Sequence, residues 1–381
     1  MKKILLFIFC MFFMISNLYC EKLDLNLHAK SAILVEASTH KVLYESDSNT
    51  KRSPASMTKI MTLLLTMESL EKGNIKLTDK VNISKHAASM GGTQIFVEEG
   101  NKVDVKTLIK GMAIASANDA AVAISEYIGG TESSFVHLMN KRAKELGCKN
   151  TNFKNPHGLD EEGHYTTAYD LSLIAIELLK HPNILKYTST YEDYIDVSGN
   201  NHWLVNTNKL VKFYSGIDGL KTGYTSKAGY CLTATMEKNN MRLISIVMGE
   251  SNKDNRSEDT ISLMEYGFSN YGLKNIYSKD KYKKYIYIDN ASDRKVDYYL
   301  KDDVNIVVNK NDKNVKYDVD EETYDIEAPL KKGDSVGQIK LKYNNKSYTY
   351  DLVVHKDIKK ANYFRVYFNL FKDIISGVKL R

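Results

Sequence analysis

Three short motifs constrain this 381-residue chain more than any other feature of its sequence. They are Ser56-Met57-Thr58-Lys59, then Ser116-Ala117-Asn118, then Lys221-Thr222-Gly223. Residues three apart share a face of a helix, so a helix at the first motif brings the Ser56 hydroxyl beside the Lys59 amine. Each motif alone is weak, because Ser-x-x-Lys also occurs elsewhere in the chain, as at residues 48–51, 278–281 and 376–379. Their order and combination predict a fold that gathers all three at one cleft.

The first two motifs contain the residue types that acyl transfer through a serine requires. Ser56 is a candidate nucleophile, and Lys59 can take its proton if burial or nearby positive charge lowers the lysine pKa. Ser116 would relay that proton to a leaving amine, and the Asn118 amide would bind a substrate carbonyl or hold Lys59 in position. Taken alone, the second motif is more typical of a polar break that caps a helix. The prediction of catalysis therefore depends on the combination.

The third motif indicates how a substrate would be held. Lys221 supplies a positive charge for a carboxylate, and the hydroxyl groups of Thr222 and Thr225 are additional hydrogen-bond donors. Gly223 lets a substrate backbone approach closely. The backbone N–H of Tyr224, together with that of the nucleophile, is a candidate oxyanion donor. We therefore expect a substrate that ends in a free carboxylate.

The first twenty residues are typical of a secretory signal peptide. Lys2 and Lys3 precede an apolar run over residues 4–15, which is too short to span a bilayer comfortably. Cys20 follows Tyr19 where a lipoprotein signal has a small residue, which disfavours lipidation at Cys20. We predict an exported protein, at the periplasmic or extracytoplasmic face of the cytoplasmic membrane. The formal net charge of +6 gives no indication of nucleic-acid binding.

Only two cysteines, Cys148 and Cys231, follow the predicted signal peptide. Cys231 lies in an apolar strand pattern, which favours two buried thiols, and one disulfide bridge is the alternative. The chain has no CxxC pair and no HExxH segment. We therefore predict no metal site and no cofactor.

The chain is long enough for two domains, and its patterns change near residue 276. Before that point, apolar periodicity and turn residues predict a mixture of helices and hairpins. The predicted elements are a hairpin around Thr39-His40, a helix from Ser56 to Gly73, helices over 104–114, 120–127 and 168–179, and a hairpin around residues 238–240. We assign residues 25–275 to this first domain.

Residues 276–358 alternate Tyr and Val with Lys and Asp, which predicts a small all-β, sandwich-like domain. The alternative is that these strands extend the sheet of the first domain. Residues 359–381 then place Phe364, Tyr367, Phe368 and Phe371 on one helical face, with six Lys or Arg against one Asp in the segment. This amphipathic pattern favours binding in the plane of an anionic membrane, and the alternative is a helix packed on the protein itself.

The sequence around the motifs resembles that of the D-alanyl-D-alanine carboxypeptidases, which are low-molecular-weight, serine-type penicillin-binding proteins. The resemblance covers residues 25–270. The matching segments are FKNPHGLD at 153–160, GHYTTAYD at 163–170, Trp203 with NTN at 206–208, GIDGLKTGYT at 216–225 and AGYC at 228–231. Some members of the family have His where Tyr224 stands.

This resemblance implies an α+β fold of the β-lactamase type, with helices packed around an antiparallel sheet, followed by a C-terminal β domain and an amphipathic anchor. It also implies that the penultimate D-Ala of a peptidoglycan stem peptide acylates Ser56 and that the terminal D-Ala leaves. By the same matching, Lys59 is the general base, Ser116 the relay and Lys221 the carboxylate clamp. β-Lactam antibiotics would be covalent inhibitors.

Three other functions use the same motifs. A β-lactamase would need a carboxylate that activates water, for which Glu161 and Glu162 are the nearest candidates between the second and third motifs. A DD-endopeptidase would cleave crosslinked wall peptides with the same residues. A non-catalytic wall-binding protein would keep the fold without the chemistry. We assign His157 and His164 to loop structure, because lysine already fills the role of the base.

Overall fold

The computed structural model describes residues 25–197 and 199–375. The predicted signal peptide, with Cys20, lies outside the described residues, as does the end of the predicted C-terminal helix after residue 375. The described chain divides into two compact units. The first contains residues 42–237 and 243–267 with the strand before residue 36, and the second contains residues 36–41, 238–242 and those from 268 onward.

A five-stranded sheet forms the centre of the first unit, in the order β2-β1-β9-β8-β7. The strands are β1 (Ser31–Glu36), β2 (Val42–Ser46), β7 (Ile217–Thr225), β8 (Gly229–Lys238) and β9 (Met241–Glu250). Both predicted hairpins are present, and the second turns at Asn239 and Asn240, which have φ of 53° and 61°. Such paired positive φ values suit a tight hairpin turn, and asparagine tolerates them. Because β7 is an edge strand, alternate backbone groups of β7 point away from the sheet.

Two short hairpins lie outside this sheet. They pair β3 (Lys80–Asn82) with β4 (Lys102–Asp104), and β5 (Glu192–Val197) with β6 (Asn200–Val205).

Helices surround the sheet, and the central one is α1 (Lys59–Glu71). Most of α1 is buried, which accounts for the apolar stripe that predicted it. The remaining helices of this unit are α2 (Lys85–Ala88), α3 (Val105–Lys110), α4 (Asn118–Gly129), α5 (Glu132–Glu145), α6 (Ala168–Leu179), α7 (Leu185–Thr188), α8 (Leu210–Phe213) and α9 (Lys253–Asn270). The bounds of α6 match the prediction, whereas α5 and α9 were not predicted.

The second unit is an all-antiparallel β structure. β10 (Tyr271–Tyr277) pairs with β13 (Val304–Asn309), and the other strands form a sheet in the order β11-β12-β16-β15-β14. These five are β11 (Lys283–Tyr287), β12 (Lys295–Leu300), β14 (Asp318–Thr323), β15 (Ser335–Tyr343) and β16 (Lys346–Val353). Both sheets contribute to one apolar core that includes Ile306, Ile339 and Leu352. The strands therefore do not extend the first sheet, and the α+β fold class with a following β domain is confirmed.

Helix α10 (Tyr363–Ile375) follows the β structure. Within residues 25–197 and 199–375, none of the helices has the length and apolar character that crossing a bilayer requires. Cys148 and Cys231 are both buried free thiols, so the alternative of a disulfide bridge between them is wrong. Burial raises the pKa of Cys148 to about 12 and that of Cys231 to about 11, which keeps both protonated at neutral pH.

Candidate active site

Ser56 lies in a short 3₁₀ turn, Ala55–Thr58, which leads directly into α1. Ala55, the residue before the serine, has φ +47°, a left-handed conformation that non-glycine residues adopt rarely. Lys59 is the first residue of α1, and its Nζ lies 3.2 Å from Ser56 Oγ. The contact that the spacing of the first motif predicts is therefore present.

The Lys59 side chain is completely buried and is held by two further oxygen atoms. Its Nζ donates to Asn118 Oδ1 at 2.7 Å and to the carbonyl oxygen of His157 at 2.7 Å. Burial, and then the charge of Lys221, lower the pKa of Lys59 well below its ordinary value of 10.5. A neutral amine has two N–H groups and one lone pair. With both N–H groups directed at fixed oxygens, the lone pair is left for the Ser56 hydroxyl.

The second motif follows an unusual turn. After α3 the helix widens into a π turn over Gly111–Ala115, and Ser116 then has φ +69°. π turns and left-handed non-glycine residues are both concentrated at functional sites. The Asn118 side chain bridges the region, because its Nδ2 donates to the carbonyl oxygen of Gly91 at 2.7 Å while its Oδ1 accepts from Lys59.

Asp119, next in the chain, holds the neighbouring loop. Its buried carboxylate accepts backbone N–H groups of Ile95, Val97 and Ala120. Burial raises the pKa of Asp119, and these hydrogen bonds act in the opposite direction. The loop around residue 95 is thereby fixed beside the second motif.

The third motif lies on the edge strand β7, and its lysine is buried. Lys221 Nζ donates to the carbonyl oxygen of Thr222 at 3.0 Å. Burial, and then the charge of Arg256, lower the pKa of Lys221 to about 7. Arg256, on α9, was missed by the sequence analysis, because nothing in the charged text of that helix marks one arginine as buried. The Thr222 hydroxyl donates to Thr207 Oγ1 at 2.7 Å.

Gly223 faces the turn that carries Ser56. A Cβ at residue 223 would lie 2.9 Å from the carbonyl oxygen of Pro54 and 3.2 Å from the Cβ of Ala55. The sequence analysis attributed this glycine to the close approach of a substrate. The structure gives a second reason for glycine here, because the neighbour that such a Cβ would meet is the chain itself, and glycine lets the edge strand pack against the Ala55–Thr58 turn.

The two residues after the glycine are more accessible. Tyr224 is half exposed, and its ring packs against that of Tyr230 with centroids 4.3 Å apart. Thr225 Oγ1 accepts the backbone N–H of Ala228 at 3.0 Å, which closes the turn to β8. The Thr225 hydroxyl proton remains a possible donor to a ligand.

The segment around residue 158 packs against the Ala55–Thr58 turn from the other side. Gly158 has φ +91°, and a Cβ there would come within 1.9 Å of the carbonyl oxygen of Ala55, so only glycine fits. His164 Nε2 lies 2.8 Å from Thr58 Oγ1. Burial lowers the pKa of His157 to about 3 and that of His164 to about 4, so both rings are neutral at pH 7.

The other Ser-x-x-Lys segments have different surroundings. Ser48 Oγ lies 2.5 Å from Glu45 Oε2, and Lys51 Nζ lies over the ring of Tyr165 at 4.5 Å. Residues 278–281 form an exposed turn of the second unit, and residues 376–379 lie outside the described residues. Unlike the segments at 48–51 and 278–281, the one at 56–59 leads into the buried helix α1.

Comparisons with known proteins show the family to which the chain belongs. The sequence profile for D-alanyl-D-alanine carboxypeptidase matches residues 19–252, and that for the C-terminal domain of penicillin-binding protein 5 matches residues 271–360. The D-alanyl-D-alanine carboxypeptidase DacF of Bacillus subtilis is 46% identical over 344 residues, which cover 89% of this chain and 88% of that protein. The chain belongs to the D-alanyl-D-alanine carboxypeptidase family.

Other relatives extend this similarity to solved structures. The D-alanyl-D-alanine carboxypeptidase DacC of Escherichia coli is 33% identical over 356 residues, covering 89% of this chain and 86% of that protein. The structure of penicillin-binding protein 5 from Haemophilus influenzae matches with a TM-score of 0.71 and 29% identity, over 89% of this chain and 99% of that one. Penicillin-binding protein D2 from Listeria monocytogenes, solved with ampicillin bound, covers 65% of this chain and 100% of its own length, with a TM-score of 0.59 and 31% identity.

As a D-alanyl-D-alanine carboxypeptidase, the protein is a serine peptidase and a penicillin-binding protein of the bacterial cell wall. It removes the terminal D-alanine of peptidoglycan stem pentapeptides by way of an acyl-enzyme. Glu161 and Glu162, the carboxylates considered for a β-lactamase, are both exposed to solvent. Neither of these two residues is therefore a buried carboxylate.

Proposed function

We propose that Ser56 is the nucleophile of this D-alanyl-D-alanine carboxypeptidase and Lys59 its general base. The observation that carries the proposal is the buried Lys59 amine, with two fixed oxygen acceptors and the Ser56 hydroxyl around it. The Ser56 Oγ proton passes to Lys59 Nζ as Oγ attacks the carbonyl carbon of the penultimate D-Ala. Asn118 keeps the base in position and has its amide close to the substrate carbonyl.

Ser116 then carries the proton from Lys59 to the leaving amine. The C–N bond to the terminal D-Ala breaks as the amine receives this proton, and the acyl ester on Ser56 remains until water cleaves it. The left-handed conformation of Ser116, at the end of the π turn, supports this role because such strain is retained mainly where function requires it.

Lys221 binds the carboxylate of the terminal D-Ala, with the Thr225 hydroxyl as a further donor, and Thr222 becomes a donor when its hydroxyl turns from Thr207 Oγ1 to the carboxylate. Arg256 adds a second positive charge behind Lys221, and two buried cations at one place favour an anionic ligand. The backbone N–H groups of Ser56 and Tyr224 stabilise the oxyanion, and Gly223 keeps the edge strand close enough for both to reach it.

The test is release of D-alanine from a synthetic stem pentapeptide that ends in D-Ala-D-Ala. Ser56→Ala is expected to lower kcat by at least about a thousandfold with unchanged circular dichroism. Ser278→Ala is the matched control, since Ser278 also precedes a lysine by three residues, and it is expected to keep full activity. Equal activity of Ser56→Ala and the wild type would refute the assignment.

We further propose that β-lactam antibiotics acylate the same serine. The structural similarity to penicillin-binding protein D2, solved with ampicillin and with cefotaxime bound, supports this proposal. A β-lactam has a carboxylate and a reactive carbonyl, which match the Lys221 and Ser56 sides of the site. DD-endopeptidase action on crosslinked wall peptides would use the same residues and would require a cleft wide enough for a crosslinked peptide.

Export and membrane attachment are also proposals. Residues 1–20 act as a signal peptide, residues 25–275 form the catalytic domain, 276–358 the β domain and 359–381 a helix that lies on the extracytoplasmic membrane surface. The support for the last is α10, whose large apolar side chains are mostly in solvent. They include Tyr363, Phe364, Tyr367, Phe368 and Phe371, each more than half exposed.

A further inference from the structure

The β5–β6 hairpin presents two aromatic rings to solvent. Tyr194 and Trp203 lie directly opposite each other in the register, on one face, and are 66% and 59% exposed. Ile195 and Leu204, on the other face, are buried. The hairpin therefore packs on the protein through one face only. Exposing large aromatic side chains to water costs free energy. A solvent-facing aromatic pair in register therefore indicates a binding surface.

The polar neighbours of the pair narrow the chemistry of its ligand. Asp196 and Asn201 are opposite each other in the register, on the same face as the two rings, and both are exposed. They offer hydrogen-bond acceptors and an amide beside flat apolar surfaces. A sugar ring has apolar C–H faces and hydroxyl groups at its rim, which fit this combination. An anionic or wholly apolar ligand does not.

The hairpin is fixed next to the active site. Thr207, two residues after β6, donates its backbone N–H to the carbonyl oxygen of Ile114 at 3.2 Å, in the π turn before Ser116. The Thr207 hydroxyl accepts from Thr222 of the third motif. On the face of the hairpin opposite to Tyr194 and Trp203, the ring of His202 stacks on that of Phe96 with centroids 6.1 Å apart. These contacts tie the hairpin to the second and third motifs.

The length of chain between Trp203 and the contacts of Thr207 is comparable to the length of a stem peptide. The four residue-to-residue steps from Trp203 to Thr207 span at most about 14 Å. The four residues that precede the terminal D-Ala of a pentapeptide span the same about 14 Å when extended, and the first of them is linked to a sugar of the glycan strand. A stem peptide whose D-Ala end occupies the site is thus long enough to bring its sugar to the hairpin.

We propose that Tyr194 and Trp203 form a binding site for the glycan strand that carries the stem peptide. This inference rests on the proposed function of the active site and adds the sugar to its substrate. Such a glycan-binding site would make the enzyme prefer glycan-linked pentapeptide over free pentapeptide.

Fluorescence tests the binding directly, because Trp203 is the only tryptophan of the chain. Peptide-free glycan strands, added to the full-length protein, are expected to change the Trp203 emission in a saturable way. Tyr194→Ala is expected to raise the Kd about tenfold, a loss of about 1.4 kcal/mol. The control is Tyr287→Ala, a similarly exposed tyrosine of the second unit, with an unchanged Kd. Trp203 emission that does not change on addition of glycan, or a Kd for glycan that is the same in Tyr194→Ala as in the wild type, would overturn the proposal.

Kinetics separates this inference from the proposed function. The ratio of kcat/KM for glycan-linked pentapeptide to that for free pentapeptide is expected to exceed one and to fall about tenfold in Trp203→Ala and in Tyr194→Ala. Wild-type protein that releases D-alanine from both substrates with equal kcat/KM contradicts the glycan site alone. Wild-type protein that releases it from neither contradicts the proposed function.

Discussion

At the scale of single residues, the proposed mechanism depends on two lysines whose pKa values are both lowered by burial, although the mechanism requires one lysine neutral and the other charged. Lys59 must be neutral to accept a proton from Ser56, and its buried position favours that state. Lys221 must be charged to hold a carboxylate, although burial and Arg256 lower its pKa to about 7. A bound carboxylate restores the charge of Lys221, so substrate binding and protonation are linked.

This linkage predicts an alkaline limit for the free enzyme. Because the pKa of Lys221 is lowered to about 7, Lys221 loses its charge as the pH rises through that value, and kcat/KM for the pentapeptide is expected to fall above about pH 7. Lys221→Arg keeps its charge over the same range, so its kcat/KM, although lower overall, is expected to show no such fall. The measurement is kcat/KM from pH 5 to 9. A wild-type profile that stays flat to pH 9 would contradict the assigned role of Lys221.

At the scale of elements, the site is assembled where a 3₁₀ turn, a π turn and an edge strand meet. Ser56 lies in the first, Ser116 follows the second, and Lys221 belongs to the third. Each is an irregular or exposed part of the fold, whereas the regular helices and the sheet hold these parts in place. Gly223 is the point at which the edge strand contacts the nucleophile turn.

Gly223→Ala tests whether this contact sets the geometry. The added Cβ would lie 2.9 Å from the carbonyl oxygen of Pro54, so strand and turn must separate, and the rate of acylation by penicillin is expected to fall at least about tenfold. Gly272→Ala is the matched control, since Gly272 is also a strand glycine and its nearest neighbour would be 3.9 Å away. Equal acylation rates in the two variants would mean that the contact is not required.

The sequence predicted those elements whose signals are local. The bounds of α6 and the two hairpins of the main sheet follow from apolar periodicity and from turn residues such as Asn239-Asn240. Helix α5 was missed because its buried side chains are few and its text is mostly polar. The π turn and the left-handed Ala55 were not predictable, since tertiary packing imposes them against local preference.

The residues of the candidate site were identifiable because their motifs are compact. The hydrogen-bond partners of these residues could not be identified from the sequence. One oxygen that contacts Lys59 is the backbone carbonyl of His157, and no side-chain pattern marks a backbone carbonyl. The charge of Arg256 next to Lys221 is likewise a product of the fold, contributed by a helix that the sequence analysis did not predict.

At the scale of the whole molecule, the carboxypeptidase profile ends at residue 252 and the C-terminal domain profile begins at 271, on either side of the change of unit near residue 268. All residues of the candidate site belong to the first unit. The second unit is followed by α10, whose exposed aromatic side chains have no catalytic role to explain them. Their exposure is the observation behind our proposal that α10 attaches to a membrane surface.

Deletion of residues 360–381 tests that attachment. The shortened protein is expected to move from the membrane fraction to the soluble fraction of cells that export it, because it lacks the aromatic side chains that would insert into the membrane surface. Penicillin labelling of the shortened protein, measured on the same fractions, is expected to be unchanged. Continued membrane association would instead indicate an uncleaved leader or a lipid on Cys20.

The most direct measurement is mass spectrometry of the intact protein after incubation with penicillin, followed by mapping of the modified peptide. The account predicts one added penicillin per chain, carried by Ser56, and no addition to Ser56→Ala. An adduct on another residue, or none on the wild-type protein, would contradict the central claim that Ser56 and Lys59 form the reactive pair.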